Sequence, residues 1–169
     1  EITELAGGLD SLLGYTNNQM ITGYTGSKIL WLKENEPELY EKVVVVINPK
    51  DYIRYKLTGL LVTDVSDASG YGLCNVKERS WSFELIEKIG LKKEIFPKIV
   101  ESTDQTGCVS KEAAALCGVA EGAKVYGGGG DAVISTTGMG LVEPGKVGVT
   151  LGTAGVVAMG LAAYGDNEG

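Results

Sequence analysis

Between Lys124 and Glu143 the chain carries one charged side chain, Asp131, directly behind the four consecutive glycines Gly127 to Gly130. Glycine lets the backbone take positive φ and come close to a ligand because no Cβ intervenes. A carboxylate behind such a turn is suited to accept the proton of a bound hydroxyl. A second small-residue turn, Gly152-Thr153-Ala154-Gly155, follows in the same stretch. Two such turns around a lone carboxylate fit transfer of a phosphoryl group to a hydroxyl, a reaction that asks mainly for positioning and charge stabilisation. Each part also has a plainer reading. Asp131 can be an ordinary helix N-cap, the glycines a turn, and Leu151 to Gly155 a hairpin connection.

Composition narrows the chemistry. The chain has no histidine, which excludes Ser/His and Cys/His nucleophile pairs and argues against a catalytic zinc. A general base must then be a carboxylate, Lys, Tyr or Cys, and no metal site is expected. Cys74, Cys108 and Cys117 are an odd number of cysteines without CxxC spacing, read here as buried free thiols of a reducing, cytoplasmic compartment. The net charge of -7 would repel nucleic acid and anionic membrane surfaces. No apolar run approaches the ~20 residues of a membrane-spanning helix. At 169 residues the chain is one domain with a continuous core. It opens on Glu1 rather than Met, as expected of a fragment or a processed chain.

The elements that would hold these turns follow from hydrophobic spacing. Residues 1 to 22, with Gly7-Gly8, Gly14 and Asn17-Asn18, read as an irregular entry. Thr25 can cap a helix running on from Lys28, with Trp31 in the core and Pro37 ending it. Val43 to Ile47 is an unbroken β-branched run, the pattern of a strand buried on both faces. Asn48-Pro49 turns into a helix with Tyr52, Ile53 and Leu57 on one side and Lys50, Arg54 and Lys56 largely on the other. Gly59 stops that helix. Asp64 and Asp67 read as the structural opening of a short helix. Leu73 to Val76 reads as an edge strand, Trp81 to Ile89 as a helix with Trp81 in the core, and Gly107 to Val109 as loop before a cap at Ser110. Strand, glycine turn, helix and hairpin then complete an α/β or α+β arrangement.

The run Gly23-Tyr24-Thr25-Gly26-Ser27-Lys28-Ile29-Leu30-Trp31-Leu32-Lys33-Glu34-Asn35 resembles a signature segment of the FGGY carbohydrate kinases. Pro49 to Gly59 (PKDYIRYKLTG), Thr63 to Gly70 (TDVSDASG), Gly128-Gly129-Gly130-Asp131 and Leu151-Gly152-Thr153 resemble further motifs of that family, in the same order. Within the family the wording is closest to its xylulokinase branch. The resemblance implies a ribonuclease H-like, actin-like α/β fold, a mixed sheet with flanking helices. It further implies that residues 1–169 are the later part of the sugar-binding N-terminal domain, with the first phosphate-loop strand and the ATP-binding C-terminal domain lying outside the chain.

By the same resemblance the protein is an ATP-dependent kinase of a ketopentose, D-xylulose first, with ATP and Mg²⁺ as cofactors. Asp131 is the general base, Asp131 and Ala132 lie at the sugar, and Gly152, Thr153 and Ala154 lie on the phosphate and nucleotide side. Relatives usually carry Asn or Gln where Ala132 stands, and Gly23 replaces the aromatic ring typical of glycerol-using relatives. Ribulose and fuculose are the other sugars considered. An inactive structural or binding module is the competing expectation for the fragment alone. A non-sugar ATPase of the same superfamily is disfavoured by the Gly23 to Asn35 segment. Sheet surface left uncovered would favour self-association as a homodimer.

Overall fold

A computed structural model of the chain describes residues 1–166, so the last three positions of the expected 1–169 unit lie outside the described residues. Helices α1 (Ile2–Ala6) and α2 (Leu9–Thr16) open the chain. The entry is therefore helical, against the expectation of an irregular segment. Its glycines act at the boundary, Gly7 closing α1 and Gly8 preceding α2, and Asn17 ends α2 in a left-handed conformation. Helices α3 (Thr25–Asn35) and α4 (Pro37–Glu41) follow, divided before Pro37 as expected. Thr25 is not the cap; it is the first residue of α3, and its hydroxyl donates to Asn48 Oδ1 at 3.1 Å.

The Val43 to Ile47 run is not a paired strand. It is irregular backbone, Val44 stands 81% exposed, and Val46 N donates to Ile95 O at 2.8 Å. β-branched residues favour an extended chain, but a strand also needs a ladder partner. None pairs with this run among the described residues.

Helix α5 (Pro49–Thr58) starts on Pro49 and stops at Gly59 as expected, yet it faces the opposite way. Asp51 and Arg54 are its buried residues, while Tyr52 and Ile53 are more than half exposed. Apolar burial alone would favour the reverse orientation; an ion-pair network on the inner side decides it.

Strand β1 (Val62–Asp64) leads into helix α6 (Val65–Ser69), capped by the Asp64 side chain, which accepts from Ser66 N and Asp67 N. Short strands β2 (Cys74–Asn75) and β3 (Ser80–Trp81) form a hairpin, so Trp81 belongs to a strand and α7 begins only at Phe83 (Phe83–Lys88). A 3-10 turn, Lys93–Ile95, precedes β4 (Lys98–Val100), which pairs parallel with β1. Strand β5 (Gln105–Cys108), expected as loop, pairs antiparallel with β6 (Lys124–Tyr126) across helix α8 (Lys111–Cys117), capped by Ser110. Helix α9 (Asp131–Gly138) and the hairpin β7 (Val147–Leu151) and β8 (Gly155–Met159) complete the described chain. Its strand pairs are mixed, one parallel and three antiparallel.

The core lies in the first two-thirds of the chain. Tyr71, Trp81 and Phe96 form an aromatic group with Tyr71–Trp81 and Trp81–Phe96 centroids 4.9 and 5.0 Å apart. Such pairs add roughly 0.5–1.5 kcal/mol beyond the area they bury. Trp81 Nε1 donates to Pro97 O at 2.7 Å and Tyr71 OH to Val46 O at 3.1 Å, so both polar ends are satisfied. Helix α3 packs on this group through Gly26, where a Cβ would lie 2.6 Å from Tyr71 O. Trp31 points outward, 58% exposed, because Gly26, Ile29 and Leu30 take the inner face of α3. Cys74 is buried, with burial pushing its thiol up to about 11, but Cys108 and Cys117 are exposed, contrary to expectation. No helix among the described residues is long and apolar enough to cross a membrane.

Candidate active site

The glycine turn between β6 and α9 is held from three directions. Gly127 N donates to Asp104 O and Gly128 N to Ser102 O, both at 2.9 Å. Gly127 O accepts from Arg54 Nη1 at 2.6 Å and from Lys50 Nζ at 3.3 Å. Gly130 N donates to Ser66 Oγ at 2.9 Å. A Cβ on Gly127 would lie 2.5 Å from Glu101 O, a distance no side chain tolerates. The glycines thus serve close packing of the turn against its own protein.

Asp131 is the first residue of α9, and Gly130 rather than Asp131 is the N-cap. Its carboxylate accepts from the next amide, Ala132 N, at 2.7 Å and is exposed. Asp131 is thus not the cap residue itself, although its carboxylate still accepts from the amide of Ala132, the second residue of α9. It stands at the edge of an open groove of about 600 Å³ lined by Asn48, Lys50, Asp67, Gly130, Ile134 and Ser135 among others. Behind it lies a hollow of about 230 Å³ between α9 and the hairpin, lined also by Ala132, Thr136, Thr150 and Val156. Ala132 therefore lines the hairpin side and not the larger groove. Gly152, Thr153 and Ala154 form the exposed hairpin tip and line neither hollow; Thr150, not foreseen, lines the smaller hollow with Gly148 and Asp131.

The groove wall is a charge cluster that joins Lys50 and Arg54, expected on the outer side of α5, to Asp64 and Asp67, expected only as a helix opening. Lys50 Nζ lies 2.6 Å from Asp51 Oδ1, 2.9 Å from Asp64 Oδ1 and 3.6 Å from Asp67 Oδ2. Arg54 Nη2 reaches Asp51 Oδ1 at 2.8 Å and also bonds Val62 O. Asn48 Nδ2 donates to Asp67 Oδ1 at 2.9 Å. The visible signal was the i,i+3 spacing of Asp51 and Arg54 just behind a Pro helix start, which reads equally as a solvated surface pair.

Burial alone would lower the Lys50 pKa, but hydrogen bonds to Asp51 and Asp64 outweigh it and raise the value above its ordinary 10.5. For Asp64 burial pushes upward, and hydrogen bonds from Ser66 and Lys50 overcome it to hold the carboxyl below its ordinary 3.8. For Asp67 burial prevails over Asn48 and Lys50, and its carboxyl rises above 3.8. The Lys50 contribution to stability is thus complete below pH 10.5 and lost as pH rises through its higher folded value. That of Asp64 is complete above pH 3.8 and lost as pH falls through its lower folded value; that of Asp67 is complete below pH 3.8 and lost as pH rises through its higher folded value. The thermal midpoint should therefore fall above pH 10.5, and Lys50→Met should flatten that fall while moving the acid fall to higher pH. An unchanged alkaline slope in Lys50→Met would remove Lys50 from this account.

The family model described as the N-terminal domain of the FGGY family of carbohydrate kinases matches residues 1–138. The chain belongs to the FGGY family. Among curated FGGY relatives, the xylulose kinase of Bacillus subtilis (strain 168) is 40% identical over 148 residues, covering 88% of this chain and 30% of that protein. The xylulose kinase of Lactococcus lactis subsp. lactis (strain IL1403) is 40% identical over 159 residues, covering 94% and 31%. The chain thus spans under a third of the length of these curated relatives. The crystal structure of xylulose kinase from Rhodospirillum rubrum superposes with a TM-score of 0.90 at 27% identity, covering 99% of this chain and 35% of that one. The α/β arrangement is accordingly the sugar-kinase N-terminal domain fold, of actin-like type. The FGGY match ends at Gly138, so it covers the glycine turn, Asp131 and Ala132 but stops before the hairpin.

Proposed function

We propose that this chain is the sugar-side part of an ATP-dependent sugar kinase. Asp131 takes the proton of a sugar hydroxyl as that oxygen attacks the γ-phosphorus of ATP. The observation that carries this reading is an exposed carboxylate on a rigidly anchored turn, facing a groove whose other polar groups are Asn48, Lys50, Asp67 and Ser135. A base must be held still and left accessible; the bond from Ala132 N helps to hold the Asp131 carboxylate, and its exposure leaves it open to a hydroxyl.

In this reading the sugar occupies the groove, whose amide, ammonium and carboxylate suit hydroxyl recognition. The phosphate approaches from the hairpin, where Thr150 lines the hollow and Gly152, Thr153 and Ala154 form the tip. Mg²⁺ travelling with ATP supplies offsetting charge for the phosphates. Asp67, the groove's other carboxylate, is an oxygen donor of the kind a hard cation takes, which leaves Asp131 to the proton. The preferred sugar is D-xylulose, supported by the names of the curated relatives. The segment alone is expected to be inactive, since it spans under a third of the length of the xylulose kinases it matches.

The test is phosphorylation of D-xylulose, L-xylulose, D-ribulose, L-ribulose and L-fuculose from Mg-ATP by the complete protein. D-xylulose should give the highest kcat/KM. Faster turnover of another ketose would replace the sugar assignment, and turnover of none would return the chain to the structural-module reading.

A further inference from the structure

Asp64 reaches three of the four glycines in front of Asp131, each through one intermediary. Its Oδ2 accepts from Ser66 Oγ at 2.5 Å, and Ser66 Oγ in turn accepts from Gly130 N at 2.9 Å. The same oxygen accepts from Ser102 Oγ at 3.1 Å, and Ser102 O accepts from Gly128 N at 2.9 Å. Its Oδ1 lies 2.9 Å from Lys50 Nζ, which donates to Gly127 O at 3.3 Å. The Asp64 side chain is fully buried, and its half-buried bonds from Ser66 and Ser102 go to a charged acceptor, which strengthens them. A helix cap needs only the amides of Ser66 and Asp67, which Asp64 also binds; capping α6 accounts for neither the Ser102 bond nor the Lys50 pair.

We propose that Asp64 is the positioning residue for Asp131: through Ser66, Ser102 and Lys50 it fixes the glycine turn and so sets where the catalytic carboxylate stands. This rests on the reading of Asp131 as the general base. A carboxylate serves because it accepts from all sides at once, whereas the amide of Asn would present a donor to one of these partners. Of the three routes, the Ser66 one is shortest to Asp131, since it ends on the amide of the preceding residue. Removing the Ser66 hydroxyl frees Gly130 without deleting a charge or opening a large cavity, so the turn loosens while the core stays.

The experiment compares Ser66→Ala, Asp64→Asn, Asp131→Asn and Ser69→Ala in the complete protein. Readouts are kcat and KM for the best sugar, the thermal midpoint, and amide hydrogen exchange across residues 127–131. Ser69 sits on the same helix, and its hydroxyl is spent on Ser66 O at 2.6 Å; it serves as the control. Ser66→Ala should lower kcat about ten-fold with KM changed less than about two-fold, because a small misplacement of a reacting group costs rate rather than binding. Exchange at the Gly130 amide should rise while that of Gly127, bonded to Asp104, does not. Ser69→Ala should do neither. Asp64→Asn should show the larger loss, and if it does not fold, Ser66→Ala decides alone. Full kcat in Ser66→Ala beside an inactive Asp131→Asn overturns the positioning role and leaves the base standing. Full kcat in Asp131→Asn overturns both. Equal losses in Ser66→Ala and Ser69→Ala also overturn it, since they would mark a general effect on α6.

Discussion

Asp131→Asn is expected to lower kcat for phosphoryl transfer by about 100- to 10,000-fold, the range a general base contributes, with little change in KM. The asparagine keeps the shape and the acceptor for Ala132 N, 2.7 Å from Oδ1 in the native chain, but it cannot take a proton. Because the side chain is exposed and makes no buried contact, the fold should lose less than about 1 kcal/mol, the interaction of one carboxylate with a helix N-terminus. Rate and stability are thus predicted to separate. Steady-state kinetics beside a thermal melt reads both at once. A variant that retains its rate would show that the proton leaves by another route; one that melts far below the parent would show that Asp131 is structural.

The second large effect falls on stability. Arg54→Met should cost about 3–5 kcal/mol, the range for removing one partner of a buried ion pair. Arg54 is 3% exposed and Asp51 1%. Without the guanidinium, Gly127 O and Val62 O lose a donor, and Asp51 keeps only Lys50. Among the described residues Asp51 Oδ2 and Arg54 Nε have no hydrogen-bond partner, so the pair leaves polar atoms unsatisfied at a cost. A companion Asp51→Leu/Arg54→Met protein should recover much of the loss, since an apolar pair can replace a buried ionic one at little cost. Denaturant unfolding measures both. A loss below ~1 kcal/mol for the single variant would mean that water reaches this cluster and the charges are effectively on the surface.

These expectations concern residues that the sequence displayed very unequally. Asp131 could be found because nothing near it in the chain is charged, and the hairpin around Gly152 to Gly155 because its turn chemistry is local. The caps at Ser110 and Asp64, the stop at Gly59 and the break at Pro37 were equally legible, each depending on a few neighbouring residues. Lys50, Asp67 and Asn48 were not legible as groove residues. Helix α5 has both an apolar and a charged side, and the usual rule turns the apolar side inward. The rule fails here because the inner side meets a carbonyl, Gly127 O, and a carboxylate, Asp64, contributed by segments distant in sequence. Trp31 failed for a related reason: Gly26 brings α3 so close to Tyr71 that Ile29 and Leu30 fill the space.

From the sequence alone came the class of fold, the family signature segments, the candidate carboxylate Asp131 and the exclusion of histidine chemistry. All of these rest on residue identity and short-range spacing. Only the tertiary structure decided that Asp131 is exposed and follows the cap residue Gly130, that α5 turns Asp51 and Arg54 inward, and that one buried aspartate reaches the glycine turn by three routes. Those are matters of which distant groups meet, and a buried charge is placed by its partners across the fold, not by the period of the helix that carries it.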